Sequence, residues 1–480
     1  MADEILYKIN NAEYRAKFIL TQEGGTSEQI NFSKSAVRGM DIEENFFEPF
    51  TNGNIYLNNP LDMIEDGNLI RGDGKDEFEI QFEPTDEGSG PEKARRGSAA
   101  LNYKFVISEE INSTSKTDRL NNFKTYRLLD ANYHKLNSTI PYGKRYRGKV
   151  SNILREVLEG EHGMNLAFCG GEWEMGDMEI DLLPEHILPP STFRYSDLVK
   201  YLLKINYKKV GNTYWRIFLY WCRVCREFKY KTPAKIFPEY QQYLIEQFMA
   251  DDLIGDPETE KKLVNPNNPT TGLTLTPTNI DNSPLMNSDF SSPMLLYTNA
   301  FLNNILVTNY DPILGEHITN MIRIKDVKTE WQKFVVFPFT YVGGQPQPWC
   351  ILNDTKTTSV YRNIGFPFPT DRMAQLAEAE LTTNMTFFNL QLNIDTLGNV
   401  NRQPGEFIDV SSARAQKGGG ENPYSGDDIN HRSDAKVFGT WFITKVRHEF
   451  SSSKVDNYTN LIQCIKPHMG PGTSVPPDCI

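Results

Sequence analysis

The residue pair with the clearest chemical potential is Cys222 and Cys225, which are separated by two residues. This spacing is that of a redox-active dithiol or of half a zinc site. A redox pair needs a helix N-terminus to lower the pKa of its first thiol, whereas the preceding Ile217–Trp221 has the composition of a strand. No further zinc ligands lie at a suitable spacing. Buried strand cysteines are therefore favoured, and a functional pair stays open as the alternative.

A second group combines Glu161, His162 and Cys169, which could hold a metal ion. Three ligands without a repeated spacing are a weak metal signature. A structural role is therefore favoured for these residues. The remaining histidines are far apart in the sequence.

Carboxylates cluster at Glu65–Asp66, Asp73–Glu79 and Asp251–Asp256. A glycosidase needs two carboxylates opposed across a cleft, which a sequence does not reveal. Turns and solvated strand edges are the favoured interpretation. The chain also has no GxSxG, HExxH, P-loop or GxGxxG motif. The sequence therefore predicts no catalytic residue, no cofactor and no metal ligand.

Composition limits the function classes further. The chain has 480 residues, of which 39% are hydrophobic and 12% aromatic, and its formal net charge is -12. That length predicts about three folded domains, and the negative charge disfavours a protein that grips DNA by its phosphates. The first residues do not form a secretion signal, and no apolar run reaches the roughly 20 residues of a membrane helix. We expect a soluble protein that is made in a cytoplasm and does not insert into membranes.

One stretch departs from this acidic composition. Lys200–Lys235 contains ten lysines and arginines, many aromatic residues, and Glu227 as its one acid. Such a stretch could stack on single-stranded nucleic acid, or it could meet an acidic neighbour in an assembly. The overall charge favours the second. The residues predicted for an assembly interface are Arg216, Arg223, Arg226, Lys229, Trp441 and Phe442.

Alternating polarity predicts strands along the first part of the chain. In Glu77–Phe82 the three apolar residues share one face and the polar residues share the other, as in a half-buried strand. The last predicted strand of this part is Phe123–Tyr133. Several short strands at this spacing predict a barrel or a sandwich.

Two helices are predicted next. The first has Ser151 as its N-cap and an apolar stripe between Ile153 and Leu158, and the second has Ser196 as its N-cap and an apolar stripe between Leu198 and Ile205. Residues 265–293, rich in Pro, Asn, Thr and Ser, predict a long loop. This middle part is therefore predicted to be a mixed α/β module rather than a continuation of the barrel.

Strands return in the last third. Thr386–Ile394 has a polar, uncharged face that consists of Asn389, Gln391 and Asn393. Val437–Phe450 and Tyr458–Ile465 predict a hairpin. In its first strand, the spacing of Phe438, Phe442, Val446 and Phe450 predicts that they share a face.

The order of these segments resembles a known family. The segments are TNGNIYLNNP, IEDGNLIRGDGKDEFEIQF, PYGKRYRGKVSNILREVL, PPSTFRYSDLVKYLLK, DRMAQLAEAEL, FFNLQLNI, QPGEFIDVSS and FGTWFITKVRHEFSSSKVDNYTNLIQC. Together they resemble the central baseplate hub proteins of contractile-tailed bacteriophages and the N-terminal part of type VI secretion spike proteins. Residues 256–365 and the Gly-rich segment 412–435 depart from the family pattern.

The resemblance implies an α+β, β-rich chain with two tail-tube-like β-barrel domains and mixed α/β modules between them. The predicted domains are a first barrel (1–137), a mixed α/β module (138–205), basic aromatic strands with a helix, linker and inserted module (206–365), a second barrel (366–465) and a Pro-rich tail (466–480).

The resemblance also implies the function of a structural virion protein. A homotrimer would form a six-barrel ring that joins the sixfold tail tube to the threefold central spike. Its partners would be the spike, the tail tube or tube initiator and the baseplate wedge proteins, in a virion baseplate assembled in the host cytoplasm. Asn389, Gln391 and Asn393 would line the lumen, through which DNA passes without specific binding. The alternative is a tail-associated enzyme that degrades carbohydrate or peptidoglycan.

Overall fold

The computed structural model is α+β and dominated by antiparallel strands. It describes residues 5–9, 12–22, 28–32, 36–58, 64, 70, 75–84, 101–111, 123–141, 144–160, 168–173, 181–187, 189, 191–210, 213–223, 227–233, 235–236, 273–277, 283–291, 304–311, 316–323, 347–349, 375–376, 378–380, 382–383, 387, 391–400, 402–412, 439–451 and 458–466. None of the helices in these ranges combines the length and apolar composition that a membrane crossing requires.

Eight strands form the N-terminal β unit: β1 (Ile5–Ile9), β2 (Ala12–Gln22), β3 (Glu28–Asn31), β4 (Val37–Asn45), β5 (Glu48–Asn58), β6 (Glu77–Pro84), β7 (Leu101–Ile111) and β8 (Phe123–Asp130). Their hydrogen-bonded order is β1-β2-β6-β7-β8-β5-β4, and β3 also pairs with β2. Strands β2 and β4, though five neighbours apart in this order, contribute to the same hydrophobic core, as Phe18 and Ile42 show. The sheet therefore curves around one core. Phe78 and Ile80 of β6 are fully buried, which confirms the predicted alternation.

A mixed α/β module follows. Its elements are α1 (Ala131–Ser138), β9 (Tyr146–Lys149), α2 (Val150–Arg155), a π-helical turn (Glu156–Gly160), β10 (Phe168–Trp173), β11 (Asp181–Ile187), α3 (Tyr195–Ile205), β12 (Tyr207–Val210), β13 (Thr213–Arg216), β14 (Phe218–Cys222) and β15 (Glu227–Lys231). The predicted apolar stripes of α2 and α3 meet in a core of their own, which includes Ile153, Leu198 and Leu202.

The helix starts differ slightly from those predicted. Ser151 is buried inside the first turn of α2 rather than capping it. The N-cap of α3 is Arg194, whose backbone N–H donates to the Asp197 carboxylate over 3.0 Å. The strand predicted to reach Tyr133 ends at Asp130, because the Asp130 carboxylate accepts from the backbone N–H of Asn132 and so starts α1.

Nine strands form the C-terminal part: β16 (Leu273–Pro277), β17 (Ser283–Ser291), β18 (Asn304–Asp311), β19 (Glu316–Arg323), β20 (Gln347–Trp349), β21 (Gln391–Leu397), β22 (Phe407–Ser412), β23 (Gly439–Ser451) and β24 (Tyr458–Ile465). Six of them pair in the order β23-β22-β16-β17-β21-β24, and β24 pairs again with β23. This circuit surrounds a core that includes Ile394, Trp441 and Ile462. Strands β18, β19 and β20 form a separate sheet.

The prediction of a loop over residues 265–293 is wrong, since β16 and β17 lie within this range and belong to the six-strand circuit. The C-terminal sheet therefore draws strands from outside the range 366–465. Composition misled the prediction, because residues that usually mark loops occur within the strands: Pro in both segments, and Asn in the second.

A β-bulge interrupts β23. Its pairing with β24 shifts register between Ile443 and Lys445, which reverses the facing of later residues. Phe442 therefore packs with Phe46 in a separate aromatic cluster, whereas Val446 packs in the core of the six-strand circuit. The prediction that these two residues share a face is wrong.

Candidate functional site

Strand β23 is shared by the two β units. Its first half pairs with β22, where Phe442 lies opposite Phe407. Its second half pairs with β4, where Lys445 to Ser451 lie opposite Asn45 to Gly39. One continuous 14-stranded sheet therefore contains both units. Backbone hydrogen bonds, rather than a linker, fix the orientation of one unit relative to the other.

A buried ion pair lies at this junction. Glu44 sits at a register irregularity of β4, and its Oε1 accepts from Arg223 Nε over 2.9 Å and from the Tyr103 hydroxyl. Arg223 also donates through Nη2 to the backbone carbonyls of Val400 and Arg402. The pair thus connects the N-terminal unit, the turn that follows β14 in the mixed module and the loop before β22.

His448 of β23 extends the network on the other side of Glu44. Its Nδ1 accepts from the Tyr458 hydroxyl at 2.7 Å and from Asn460 Nδ2 at 2.9 Å. The Asn460 orientation follows from its Oδ1, which accepts from Arg402 Nη1 and from the backbone N–H of Asn399. We therefore assign the histidine proton to Nε2, which lies 3.5 Å from Glu44 Oε2.

Electrostatics hold this network in one protonation state. Burial by itself would raise the pKa of Glu44, but Arg223, His448 and Tyr103 outweigh burial and lower that pKa to about 2. Burial lowers the pKa of His448, and the neighbouring Glu44 offsets only part of this effect. Burial raises the pKa of Tyr103, and Glu44 raises it further. At neutral pH the site holds an ionised Glu44, a charged Arg223 and a neutral His448.

The Pro404–Gly405 turn before β22 contacts the mixed module. Gly405 has a φ of +86° and donates its backbone N–H to the Ile443 carbonyl over 2.9 Å. A Cβ at this position would lie 2.5 Å from the ring of Tyr220. The turn therefore requires glycine both for its conformation and for the close approach of Tyr220.

Two of the three residues predicted to line a lumen lie within the described part of the chain. Gln391 and Asn393 are exposed on β21 and alternate with the buried Leu392 and Ile394. Asn393 lies directly opposite Gln463 of β24, which is also exposed. Asn389 lies outside the described residues. The predicted polar face is therefore present on β21, and it continues onto β24.

The residues predicted for an assembly interface have different surroundings. Arg223, Trp441 and Phe442 are buried within the chain itself, so their side chains offer no surface to another subunit in this fold. Arg216 is partly exposed, donates to the Leu203 carbonyl over 3.3 Å and lies 3.9 Å from Glu380. Lys229 is partly exposed on β15. Arg226 lies outside the described residues.

The cysteine pair and the candidate metal ligands are partly described. Cys222 is buried on strand β14, as favoured, and Gln403 Nε2 lies 3.4 Å from its sulfur. Cys225, Glu161 and His162 lie outside the described residues. Across the part of the chain that the structure describes, His, Cys, Asp and Glu side chains form no group that could hold a metal ion.

Two members of the Asp73–Glu79 carboxylate cluster lie on β6. Glu77 and Glu79 share the face opposite to the buried Phe78 and Ile80. Two residues apart on one strand, they are not opposed across a cleft as a glycosidase pair would be.

Sequence reasoning missed Glu44 and His448, although both carry a readable signal. Each lies at a core-facing position of a strand: Glu44 between Ile42 and Phe46, and His448 between Val446 and Phe450. A charged or titratable residue in the middle of an apolar face requires a buried partner. This pattern identifies the residues, but not their partners.

Comparisons with known proteins find similar solved structures, all at low sequence identity. No family model matches the sequence, and no curated protein matches it. Similar solved structures include a tail protein from Neisseria meningitidis MC58, with 10% identity, 94% of this chain and 96% of that chain covered, and a TM-score of 0.45. Another is the 43 kDa tail protein of prophage MuSo2 from Shewanella oneidensis, with 9% identity, coverage of 94% and 98%, and a TM-score of 0.44.

A third similar structure is a PdpA–VgrG complex from Francisella, with 9% identity, coverage of 97% of this chain and 59% of that chain, and a TM-score of 0.42. The sequence resemblance named phage tail proteins, and two of these similar structures are tail proteins.

Proposed function

We propose that the chain is a structural subunit of a contractile phage tail. In this proposal it is a homotrimeric baseplate hub that joins the sixfold tail tube to the threefold central spike and forms part of the DNA-ejection channel. The ordered sequence motifs support this role. The observation that carries it is the shared strand β23, which unites two β units in one sheet.

The geometry suits a ring with mixed symmetry. We interpret the six-strand circuit as one tube-like barrel and the curved N-terminal sheet as the other. Three chains with two such units each would present six similar units around a common axis. Because β4 and β23 are hydrogen-bonded, each pair of units would enter the ring with a fixed spacing.

The polar face of β21 and β24 supports a lumen assignment. Gln391, Asn393 and Gln463 are exposed and uncharged. In the proposal they line the channel together with Asn389, so that DNA passes without specific binding. A strongly basic channel wall in an assembled trimer would contradict this assignment.

The same role defines the partners. We propose contacts with the central spike, the tail tube or tube initiator and the baseplate wedge proteins, in a virion baseplate assembled in the host cytoplasm, without membrane insertion. Arg216, Arg226 and Lys229 are the basic residues that we retain as candidates for these contacts. For the enzyme alternative, Glu77 and Glu79 offer no support because they lie on one strand face, and Glu65–Asp66 and Asp251–Asp256 lie outside the described residues.

Mass in solution tests the proposal. Light scattering of the purified protein should give a trimer, alone or with the spike protein, and electron microscopy should show six lobes around a hole. A stable monomer under both conditions would contradict the hub. Incubation with purified cell walls tests the alternative, since release of soluble fragments would favour an enzyme.

A further inference from the structure

Two arginines at the start of β9 form an exposed basic pair. Arg145 and Arg147 are both exposed, whereas Tyr146 between them is only 1% exposed. Alternation along an extended chain therefore puts the two guanidinium groups on one solvent face, with their Cα atoms about 6.6 Å apart. Neither side chain forms a hydrogen bond or an ion pair within the described part of the chain.

The surroundings of this pair are basic. Lys144 has its own partner, since its Nζ lies 3.0 Å from Glu156, so the arginine charges are the ones left without compensation. Residues 131–236 contain seventeen lysines and arginines against eleven acids, although the whole chain has a net charge of -12. Charge complementarity therefore favours an anionic partner at this surface.

Strand β9 offers that partner a backbone edge as well. In the described residues it pairs with β11 alone, and the extra residues of that pairing lie in β11, between Leu182 and Ile187. A Cβ at Gly148 would meet no atom within 4 Å, so the space beside the strand is open. An edge strand can accept a further strand. The arginines would repel a second copy of β9 and attract a strand that carries carboxylates.

The geometry favours a peptide over a nucleic acid. A single-stranded nucleic acid stacks its bases on exposed aromatic rings, but the aromatic residue of β9, Tyr146, is buried. A peptide strand has the same repeat as β9, so carboxylates at every second residue would lie opposite Arg145 and Arg147. Each guanidinium can donate two parallel N–H groups to such a carboxylate.

We propose that β9 docks an extended acidic segment of a partner protein. The segment adds to the edge of β9 through backbone hydrogen bonds, and Asp or Glu side chains two residues apart pair with Arg145 and Arg147. This inference does not depend on the hub assignment, since it concerns an edge strand of a single chain.

Fluorescence polarisation with labelled peptides at low ionic strength tests the proposal. A short peptide with glutamate at every second residue and threonine between should bind with a dissociation constant of about 1 mM or below. An isomer with the same composition, whose glutamates are gathered at one end, should bind roughly fivefold more weakly or worse, because only one carboxylate in two then faces the arginines. Methylation of the backbone nitrogens of the alternating peptide should abolish binding, because it removes the donors of the added strand.

Variants of the chain test the two arginines. Arg145→Gln with Arg147→Gln should weaken binding of the alternating peptide roughly tenfold or more, and it should unfold at the same denaturant concentration as the wild type, because both side chains are exposed. Lys104→Gln with Arg127→Gln is the matched control. It removes two exposed positive charges from the N-terminal unit and should leave binding unchanged.

Three results would overturn the proposal: no binding of the alternating peptide, equal binding of the two isomers, or wild-type binding by the variant of Arg145 and Arg147. Oligothymidylate is the probe for the other class of partner. If it binds more tightly than the alternating peptide and is lost in the same variant, the surface recognises nucleic acid and the proposal is wrong. None of these results affects the mass in solution that tests the hub.

Discussion

Glu44 and Arg223 form a buried ion pair, with 2.9 Å between Oε1 and Nε, although 179 residues separate them in the chain. The pair ties a strand of the N-terminal unit to the residue that follows β14 in the mixed module, and the carbonyls of Val400 and Arg402 also accept from the guanidinium. Removing either partner would leave a buried charge without compensation.

Arg223→Met should therefore lower the free energy of unfolding by about 3–5 kcal/mol. Chemical denaturation measures this change. The control is Arg127→Met, which breaks the exposed pair with Glu109 and should cost about 1 kcal/mol or less. The double variant Glu44→Gln and Arg223→Met should recover part of the loss, since it leaves neither charge buried. Equal effects of Arg223→Met and Arg127→Met would refute the assigned role.

Acid should destabilise the junction. The folded pKa of Glu44 is about 2 against an ordinary 4.5, and the folded pKa of His448 lies below 6.5. Both groups bind fewer protons in the folded state, so their contribution is present above the ordinary values. The contribution of His448 is lost as the pH falls below 6.5. The contribution of Glu44 is lost as the pH falls from 4.5 towards 2.

Two buried carboxyl groups act on stability in the opposite direction, because burial raises the pKa of Glu406 to about 7 and that of Asp130 to about 6. The variant His448→Gln isolates the contribution of the histidine from theirs. Between pH 7 and pH 5 the wild type should lose more unfolding free energy than His448→Gln does. Parallel curves for the two proteins would show that His448 does not contribute.

Gly405→Ala should destabilise the fold more than Gly148→Ala. Both glycines have positive φ, +86° and +103°, so both substitutions carry the backbone cost of about 1–2 kcal/mol. Only at Gly405 does a Cβ also meet the ring of Tyr220, since the space around Gly148 is open. Thermal denaturation of the two variants measures the difference. A smaller loss for Gly405→Ala would contradict the packing described for this turn.

Charge on the proposed lumen face should change the passage of DNA without changing the fold. Gln391→Lys with Asn393→Lys should alter stability by no more than about 0.5 kcal/mol, because both positions are exposed. The same variant should retain DNA in the assembled particle and slow its ejection. Leu392→Lys, at the buried position between them, should instead prevent folding. Unchanged ejection by the folded double variant would contradict the lumen assignment.

Local patterns predicted a large part of the fold. The alternation of Phe78 and Ile80 and the apolar stripe of α3 are confirmed, because burial on one face leaves a direct mark on the sequence. The hairpin of β23 and β24 is confirmed for the same reason. The bulge at Thr444 carries no such mark, so the facing of Phe442 could not be predicted.

The candidate site was far less predictable. The position of Glu44 on an apolar face indicates that it has a buried partner. No local sequence pattern identifies that partner as Arg223, which the sequence assigned to a basic surface. β16 and β17 were hidden by linker-like composition, and they are stabilised as strands by pairing with each other and with β22 and β21. Contacts between distant segments decide both cases.

The common strand also determines how the chain resists mechanical load. β4 and β23 are paired over seven consecutive residues, from Lys445 opposite Asn45 to Ser451 opposite Gly39. A force along the strand direction stretches these hydrogen bonds in parallel, so they must rupture together rather than unzip in sequence. If the chain is the proposed hub subunit, such a shear-loaded ladder would hold its two halves in step during contraction of the tail sheath.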